Sequence, residues 1–598
     1  MSQRNQKPPN FLIIVADDLG FSDVGCFGSE IRTPNIDQLA ASGVRMTDYY
    51  TAAACSPTRS MLLSGTDNHI AGVGVMSEQK NFNPKRWNVP GHEGYLNLRV
   101  AALPELLQDH GYHTLISGKW HLGLKPDHLP GRRGFDRSFA LLPGCANHYG
   151  WEPQFNDSDM IEFFERNAPL YVRDGVKVDM KANQANSPTG FFSSDYYTSN
   201  LIQYLDERPA DKPFFAYLPF SAPHWPLQVS KGYRDRYKGV YDDGPEVLRQ
   251  RRLARLKELG LIPADVVPHD VVADEASEWS EMTQEERALS ARAMETYAGM
   301  VENMDFNIGR IMEHLDKIGE RDNTFIIFQS DNGAEGAALE ARPVLGPRMM
   351  DVIRKYYDNS LDNVGEYNSY VWYGPRWAQA STAPSRLYKM YSTQGGIKVP
   401  MVINYPPWTQ KQGGKYTNAF STVMDIAPTV LELAGIKHPG PDRLFRGRKV
   451  EAMRGKSWVP FFSGLADTAD IRAAPEALHG ADDPAVGWEL FGRAALRLGV
   501  WKIVYMPRWA FGKGIWELYN LEKDPGETSD LAEDEPAKLA ELVARWEQYA
   551  AETGVVWDGK ELEPGTFDDL TRADLIGGDA LEETRGWMLG LKESATPC

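Results

Sequence analysis

Phe11-Leu12-Ile13-Ile14-Val15-Ala16-Asp17-Asp18 is an unbroken apolar run that stops on two adjacent carboxylates. A run this rich in β-branched residues, bounded by Asn10 and Asp17, reads as a parallel strand buried on both faces. Asp17 and Asp18 repel each other unless something cationic lies between them. Taken alone, the pair reads equally well as a solvated turn.

The same pattern recurs downstream. Leu103 to Asp109 reads as a helix and Thr114 to Ser117 as a strand, with Gly118 opening a loop that carries Lys119 and His121. Pro213 to Leu218 is another apolar strand and delivers His224 beyond its end. Thr324 to Phe328 ends in Ser330-Asp331-Asn332-Gly333, and Met401 to Tyr405 is a further strand. Helices are expected after Thr33-Pro34, over Thr283 to Gly319 behind a Thr283…Glu286 capping box, and over Asp425 to Gly435. Met294, Tyr297, Ala298, Val301, Ile308, Ile311 and Leu315 form the packing stripe of the long one. A single lysine or histidine at a strand end is ordinarily a surface or packing residue. In open α/β sheets, however, ligands bind beyond the carboxyl ends of the strands. Asp17, Asp18, Lys119, His121, His224, Asp331 and Asn332 would then share one rim. The expected fold is α/β: a large mixed, mostly parallel sheet sandwiched by helices.

One further stretch carries reactive chemistry: Ala54-Cys55-Ser56-Pro57-Thr58-Arg59-Ser60-Met61-Leu62-Leu63-Ser64-Gly65. Pro57 suits a first helical turn, Met61 to Leu63 anchor the helix, and Gly65 stops it. Cys55 would sit at the helix N-terminus, where free N–H groups favour an anion. Arg59, one turn on, points a guanidinium toward the same place. The plainer alternative is a buried structural cysteine beside a solvated arginine.

The chain has 598 residues, 42% hydrophobic and 24% charged, with a net charge of −18. That length accommodates a large domain and a smaller one. The acidity argues against a nucleic-acid partner. An acidic protein that handles an anion needs a local positive pocket, and Arg59, Lys119, His121, His224 and Lys389 could form one. Asp17, Asp18, Asp331 and Asn332 offer only oxygen, the donor set of Ca²⁺ or Mg²⁺ rather than zinc. Cys26, Cys55, Cys145 and Cys598 are too sparse for a disulfide framework. The polar opening stretch, and the lack of any run of membrane-spanning length, lead us to expect a cytoplasmic protein with no membrane partner.

Residues 1–436 are expected to form the catalytic domain. Residues 437–598 are expected to form a linker, rich in Pro, Gly, Arg and Asp from Lys437 to Val486, and a smaller α+β domain. In the latter, Ala494 to Leu498, Trp501 to Tyr505 and Ile515 to Tyr519 read as an antiparallel meander, followed by a helix over Glu535 to Ala551 and an acidic tail. Met160 to Ser187, Lys231 to Trp279 and Gly336 to Ala383 carry no interpretable motif and are expected to wall the pocket. Aromatic residues between Tyr367 and Trp377 hint at an apolar leaving-group pocket, although aromatics are core residues first.

Cys55-Ser56-Pro57-Thr58-Arg59 resembles the Cys-x-Pro-x-Arg signature of the type I sulfatases. Gly111 to His121, with Gly118-Lys119-Trp120-His121, resembles their second signature, and Ser64-Gly65 departs slightly from a common Thr-Gly. The resemblance spans nearly the whole chain and looks closest to soluble bacterial arylsulfatases, implying an alkaline phosphatase-like fold. It implies that Cys55 is oxidised to Cα-formylglycine (3-oxoalanine) by a formylglycine-generating enzyme. It implies that Asp17, Asp18, Asp331 and Asn332 ligate Ca²⁺, with modified Cys55 completing the shell. Arg59, Lys119 and His121 would hold the aldehyde hydrate, and His224, Lys389 and Lys119 the sulfate of a small-molecule ester.

The implied reaction starts with attack of one diol oxygen on sulfur, with Asp331 as base. His224 or Lys389 protonates the leaving alcohol. His121 then takes the second hydroxyl proton, so that the covalent sulfo-enzyme hemiacetal expels sulfate. A serine sulfate would have no second hydroxyl to drive that elimination. Phosphonate or phosphodiester hydrolysis on the same scaffold is the alternative chemistry. A non-catalytic anion-binding protein with an unmodified cysteine is the alternative of another class.

Overall fold

A computed structural model describes residues 7–77, 89–156, 170–178, 180, 190–273, 276–337, 349–465, 471, 478–479 and 485–557. The acidic tail, Cys598 and most of 160–187 lie outside the described residues.

The first strand, β1 (Asn10–Ala16), is buried along its whole length, as its continuous apolar run requires. It lies at the centre of a ten-stranded sheet. On one side are β8 (Phe214–Pro219), β4 (His113–Lys119), β5 (Arg137–Leu141), β6 (Tyr171–Arg173) and β7 (Val176–Lys177). On the other are β9 (Thr324–Ser330), β10 (Met401–Asn404), β2 (Val44–Met46) and β11 (Lys415–Thr417). The central strands β9, β1, β8, β4 and β5 run parallel, whereas β10, β6 and β7 pair antiparallel toward the edges. A two-stranded piece joins β3 (Tyr49–Tyr50) to β12 (Ser421–Thr422). This is the mixed, mostly parallel sheet expected from the sequence.

Strand β4 extends two residues past the expected end and includes Gly118 and Lys119. Gly118 explains the extension. Its φ is +142°, and a Cβ there would stand 2.0 Å from the carbonyl oxygen of Pro219 in β8. Only glycine lets the two backbones approach so closely, and the strand continues where a loop is read from sequence.

The helices of the large domain include α1 (Pro34–Ser42), α2 (Cys55–Ser64), α3 (Leu103–Asp109), α4 (Ser193–Glu207), α5 (Pro245–Glu258) and α6 (Gln284–Lys317). The Thr283 hydroxyl accepts from the Glu286 N–H, and the Glu286 carboxylate accepts from the Thr283 N–H at 2.7 Å, so the capping box of α6 is complete. No helix among the described residues is long and apolar enough to cross a membrane.

The C-terminal part is a four-stranded antiparallel meander: β13 (Val486–Leu490), β14 (Arg493–Leu498), β15 (Trp501–Tyr505) and β16 (Trp516–Asn520). Helix α7 (Pro536–Thr553) covers one face, where Leu542, Trp546 and Tyr549 pack on Leu496, Ile503 and Leu518. In the described part of 437–486, Val450, Trp458, Phe461 and Phe462 are buried in the main core. Two polar clamps join the C-terminal part to loops of the large domain. His69 is buried between Asp67 (Nδ1–Oδ1 2.9 Å) and Glu489 of β13 (Nε2–Oε2 3.1 Å), and Tyr549 donates to Asp67 at 2.7 Å. Arg386 reaches Glu517 of β16 at 3.0 Å.

Candidate active site and metal centre

Four of the central strands, β1, β9, β4 and β8, lead into polar residues at their carboxyl ends. Asp17 and Asp18 follow β1, Asp331 and Asn332 follow β9, Lys119 ends β4, His121 lies two residues beyond it, and His224 follows β8. All of them are buried. Helix α2 starts at Cys55 with Ala54 as its cap and ends at Gly65, whose φ of +66° is left-handed.

Ligand atoms of Asp17, Asp18, Asp331 and Cys55 all lie within 4.8 Å of one another. Asn332 joins them, its Nδ2 donating to Asp18 Oδ1 at 2.7 Å while its buried Oδ1 has no hydrogen-bond partner among the described residues. Gly333 makes that turn possible, because a Cβ there would meet the Gly395 carbonyl oxygen at 1.8 Å. Three carboxylates so close repel one another, and burial adds to the cost. Burial, with Asp331 and Asp18 beside it, pushes the Asp17 carboxyl up to about 8 even though Lys119 and Arg59 oppose the shift. Three converging carboxylates, with an orphaned amide oxygen on the asparagine bonded to one of them, fit a hard divalent cation.

Cations ring this cluster. Lys119 Nζ donates to both oxygens of Asp17, at 2.9 and 2.7 Å. Arg59 donates to Asp331 Oδ2 from Nε (3.0 Å) and Nη2 (2.6 Å), and its Nη1 donates to the Lys119 carbonyl at 2.9 Å. Lys389 Nζ lies 2.9 Å from Asp18. Burial works against the charge of all three cations, but the neighbouring carboxylates outweigh it and hold each pKa above its ordinary value. Cys55 Sγ stands 4.0 Å from Asp18 Oδ1, and burial pushes its thiol well up despite Lys119 and Lys389.

His224 Nδ1 donates to the Trp225 carbonyl at 2.6 Å, which turns Nε2 toward Asp18 Oδ2 at 3.4 Å. Burial, then Lys389 and Lys119, pushes its pKa well down. His121 has a φ of +54°, and its carbonyl accepts from the Ser56 hydroxyl at 2.7 Å. Asp17, Asp18, Cys55, Arg59, Lys119, His224, Asp331, Asn332 and Lys389 are thus joined by direct side-chain contacts in one buried cluster, and His121, also buried, is tied to the start of α2 through its backbone.

The sequence reading passed over several residues that shape this cluster. Glu335 holds Lys389 from the other side, at 2.9 Å. His148 meets the His224 carbonyl through Nε2 at 2.9 Å and Ser193 Oγ through Nδ1 at 2.7 Å. Behind the Asp17-Asp18 turn, Asp23 accepts from the Gly20 N–H (2.8 Å), from Tyr297 (2.6 Å) and from the Arg252 guanidinium, which also grips Glu30 at 2.9 Å. Arg252 belongs to α5, within 231–279. Its signal, one arginine among several in a charged helix, is too weak to read. Within the aromatic stretch, Tyr373 stacks on Tyr297 and Trp377 packs against Tyr241 and Trp279, while Tyr370 meets Trp225 beside His224.

Comparison with known proteins agrees with this geometry. The Sulfatase family model matches residues 9–436. An uncharacterized sulfatase of Schizosaccharomyces pombe is 53% identical over 555 residues, 93% of this chain and 95% of that protein. An arylsulfatase of Klebsiella aerogenes is 38% identical over 457 residues, 76% of this chain and 91% of its own. Among solved structures, Ps i-CgsB aligns with a TM-score of 0.62 at 24% identity, covering 95% of this chain and 99% of that one. The phosphonate monoester hydrolase of Agrobacterium radiobacter aligns with a TM-score of 0.53 at 20% identity, over 91% and 96% of the two chains. At those identities the structures speak for the shared, alkaline phosphatase-like fold alone. The family match over most of the chain, together with relatives this similar over nearly their full length, establishes that the chain belongs to the sulfatase family.

Proposed function

We propose that this sulfatase hydrolyses sulfate monoesters to an alcohol and inorganic sulfate, with Cys55 converted to Cα-formylglycine as the source of its nucleophile. The observation that carries the reading is the donor set. Cys55 brings the one sulfur into a group that otherwise offers only oxygen, and a hard cation prefers oxygen. Oxidation to the aldehyde, and hydration to a diol, replaces that sulfur with oxygen.

The cation, which we take to be Ca²⁺, would be held by Asp17, Asp18, Asp331, Asn332 and the modified residue 55. When bound it supplies positive charge next to the reacting oxygens. The side chains do the rest. Arg59 and Lys119 orient the diol, and Asp331 accepts the proton of the attacking hydroxyl. Lys119, Lys389 and His224 bind the sulfate oxygens in a water-poor pocket, where such charges act more strongly than in solution. Lys389, or His224 once the anionic ester beside it offsets the burial and the two lysines that disfavour its protonation, delivers a proton to the leaving oxygen, and His121 takes the proton of the second hydroxyl as sulfate departs.

The same reading makes a formylglycine-generating enzyme the partner during maturation. It takes residues 1–436 as the catalytic unit and 437–598 as linker and smaller domain. A cytoplasmic location agrees with the sparse cysteines of the sequence, four in 598 residues.

The test is turnover of 4-nitrophenyl sulfate beside methyl 4-nitrophenyl phosphate by the purified enzyme. A higher kcat/KM for the sulfate supports the reading. A higher value for the phosphodiester would assign the chain to the alternative chemistry.

A further inference from the structure

One apolar cluster stands apart from the main core. Ala54, Met76 and Leu490 are buried in it, and Met390 and Phe491 cover its outer side, half-buried. Its members adjoin the site along the chain: Ala54 precedes Cys55, and Met390 follows Lys389. Phe491 comes from elsewhere, at the turn between β13 and β14, so the C-terminal meander reaches to the reactive centre.

The two outer residues are held firmly. The Met390 N–H donates to the Ala53 carbonyl at 2.7 Å, and the Met390 carbonyl accepts from Arg493 at 2.8 Å. The turn carrying Phe491 is tied by Glu489, which accepts from the Gly492 N–H at 2.9 Å and from His69 at its other oxygen. Met390 (φ +75°) adopts left-handed backbone, as do Asp18 (+70°) and His121 (+54°) in the site itself, whereas Phe491 (+56°) and Gly492 (+74°) do so as the two residues of the tight turn joining Leu490 to Arg493. Large side chains persist in that region only where their surroundings impose it, and such positions gather at functional sites. A cluster that served packing alone would not need a strained methionine, nor keep a thioether and a phenyl ring half-buried beside the residue that precedes Cys55.

Resting on the function proposed above, we infer that Met390 and Phe491 form the wall that receives the leaving group, and that the enzyme prefers esters of apolar alcohols, aryl or alkyl, over sulfated sugars. A sulfate monoester is charged at one end only. Lys389 and its neighbours take the anionic end, and one residue further on the surface becomes apolar. Methionine and phenylalanine offer a ring or an alkyl chain good contact. They offer no partner to sugar hydroxyls, whose desolvation would go uncompensated.

The experiment compares wild type with Phe491→Ser, Met390→Ser and Phe491→Leu. Four quantities are measured: kcat/KM for 4-nitrophenyl sulfate, kcat/KM for glucose 6-sulfate, inhibition by inorganic sulfate, and calorimetric binding of 4-nitrophenol. Wild type should favour the aryl ester. Each serine variant should lose about tenfold in kcat/KM for it and bind 4-nitrophenol about tenfold more weakly, the scale of a lost apolar contact in a binding pocket. Sulfate inhibition should stay unchanged, which also shows that the variants fold, and Phe491→Leu should retain most of the rate. Serine variants without effect, an equal loss of sulfate inhibition, or a wild-type preference for glucose 6-sulfate would each overturn the inference. Binding of 4-nitrophenol that responds to the variants in a protein with no sulfate-ester turnover would instead overturn the proposed reaction and leave the wall in place.

Discussion

Arg59 places two donors on one oxygen of Asp331, Nε at 3.0 Å and Nη2 at 2.6 Å, and both side chains are wholly buried. The other oxygen, Oδ1, accepts the Asp18 N–H at 3.3 Å. The carboxylate is thereby divided between the helix that carries Cys55 and the turn that carries the other acids. Arg59→Ala leaves that charge unpaired, which costs about 3–5 kcal/mol for a buried pair. Denaturant unfolding should show the loss. Arg59→Lys should lose less, because a lysine keeps the charge but cannot reproduce the two-pronged contact.

Bound cation should stabilise the fold as well as the chemistry, since it relieves the repulsion among Asp17, Asp18 and Asp331. A cation at a hundredfold its dissociation constant contributes about 2.7 kcal/mol. Chelation should therefore lower the melting temperature and calcium should restore it. Asp18→Asn should purify with less metal by elemental analysis. Its rate should fall by on the order of 10²–10³, the scale of one lost electrostatic contact to the reacting centre.

The strand-end residues were legible because each follows an apolar run that can only be a buried strand. Burial on both faces leaves the strand ends as the place for polar side chains. Cys55 and Arg59 were legible because a proline and a glycine bracket their helix. Arg252 was not, because its partners Asp23 and Glu30 lie more than two hundred residues away and meet it only through the fold. Lys119 was read as a loop residue because Gly118 ordinarily breaks a strand; here it allows β4 and β8 to touch. Phe491 was illegible for a similar reason: only the docking of the meander brings it beside Met390.

Arg252 supports the Asp17-Asp18 turn through Asp23, whose other oxygen accepts from the Gly20 N–H and from Tyr297. Arg252→Leu should loosen that turn without touching the metal ligands. Cation affinity, measured by competition with a chelating dye, should fall about tenfold, the lower end for loss of a group that orients ligands from behind. Arg252→Lys should recover part of it. Unaltered affinity in the leucine variant would mean that the turn holds its shape alone.

His69 makes the fold sensitive to alkali. Burial opposes its charge, but the Asp67 and Glu489 carboxylates raise its pKa from 6.5 to about 9. A raised folded pKa contributes stability that is complete below the unfolded value and fades as pH climbs through the folded one. About 3 kcal/mol should be lost between roughly pH 6.5 and 9. His69→Gln should be less stable than wild type at pH 6, and its stability should vary much less over that window. An equal decline in both proteins would place the sensitivity elsewhere.

The proposed chemistry rests on one side chain, and mass spectrometry of the tryptic peptide Met46–Arg59 from enzyme of measured activity reads its state. The peptide should be lighter than the encoded one by the difference between a CH₂SH group and an aldehyde, in proportion to activity, and should react with hydrazides. Fully active enzyme in which that peptide retains the encoded cysteine mass would contradict the proposal.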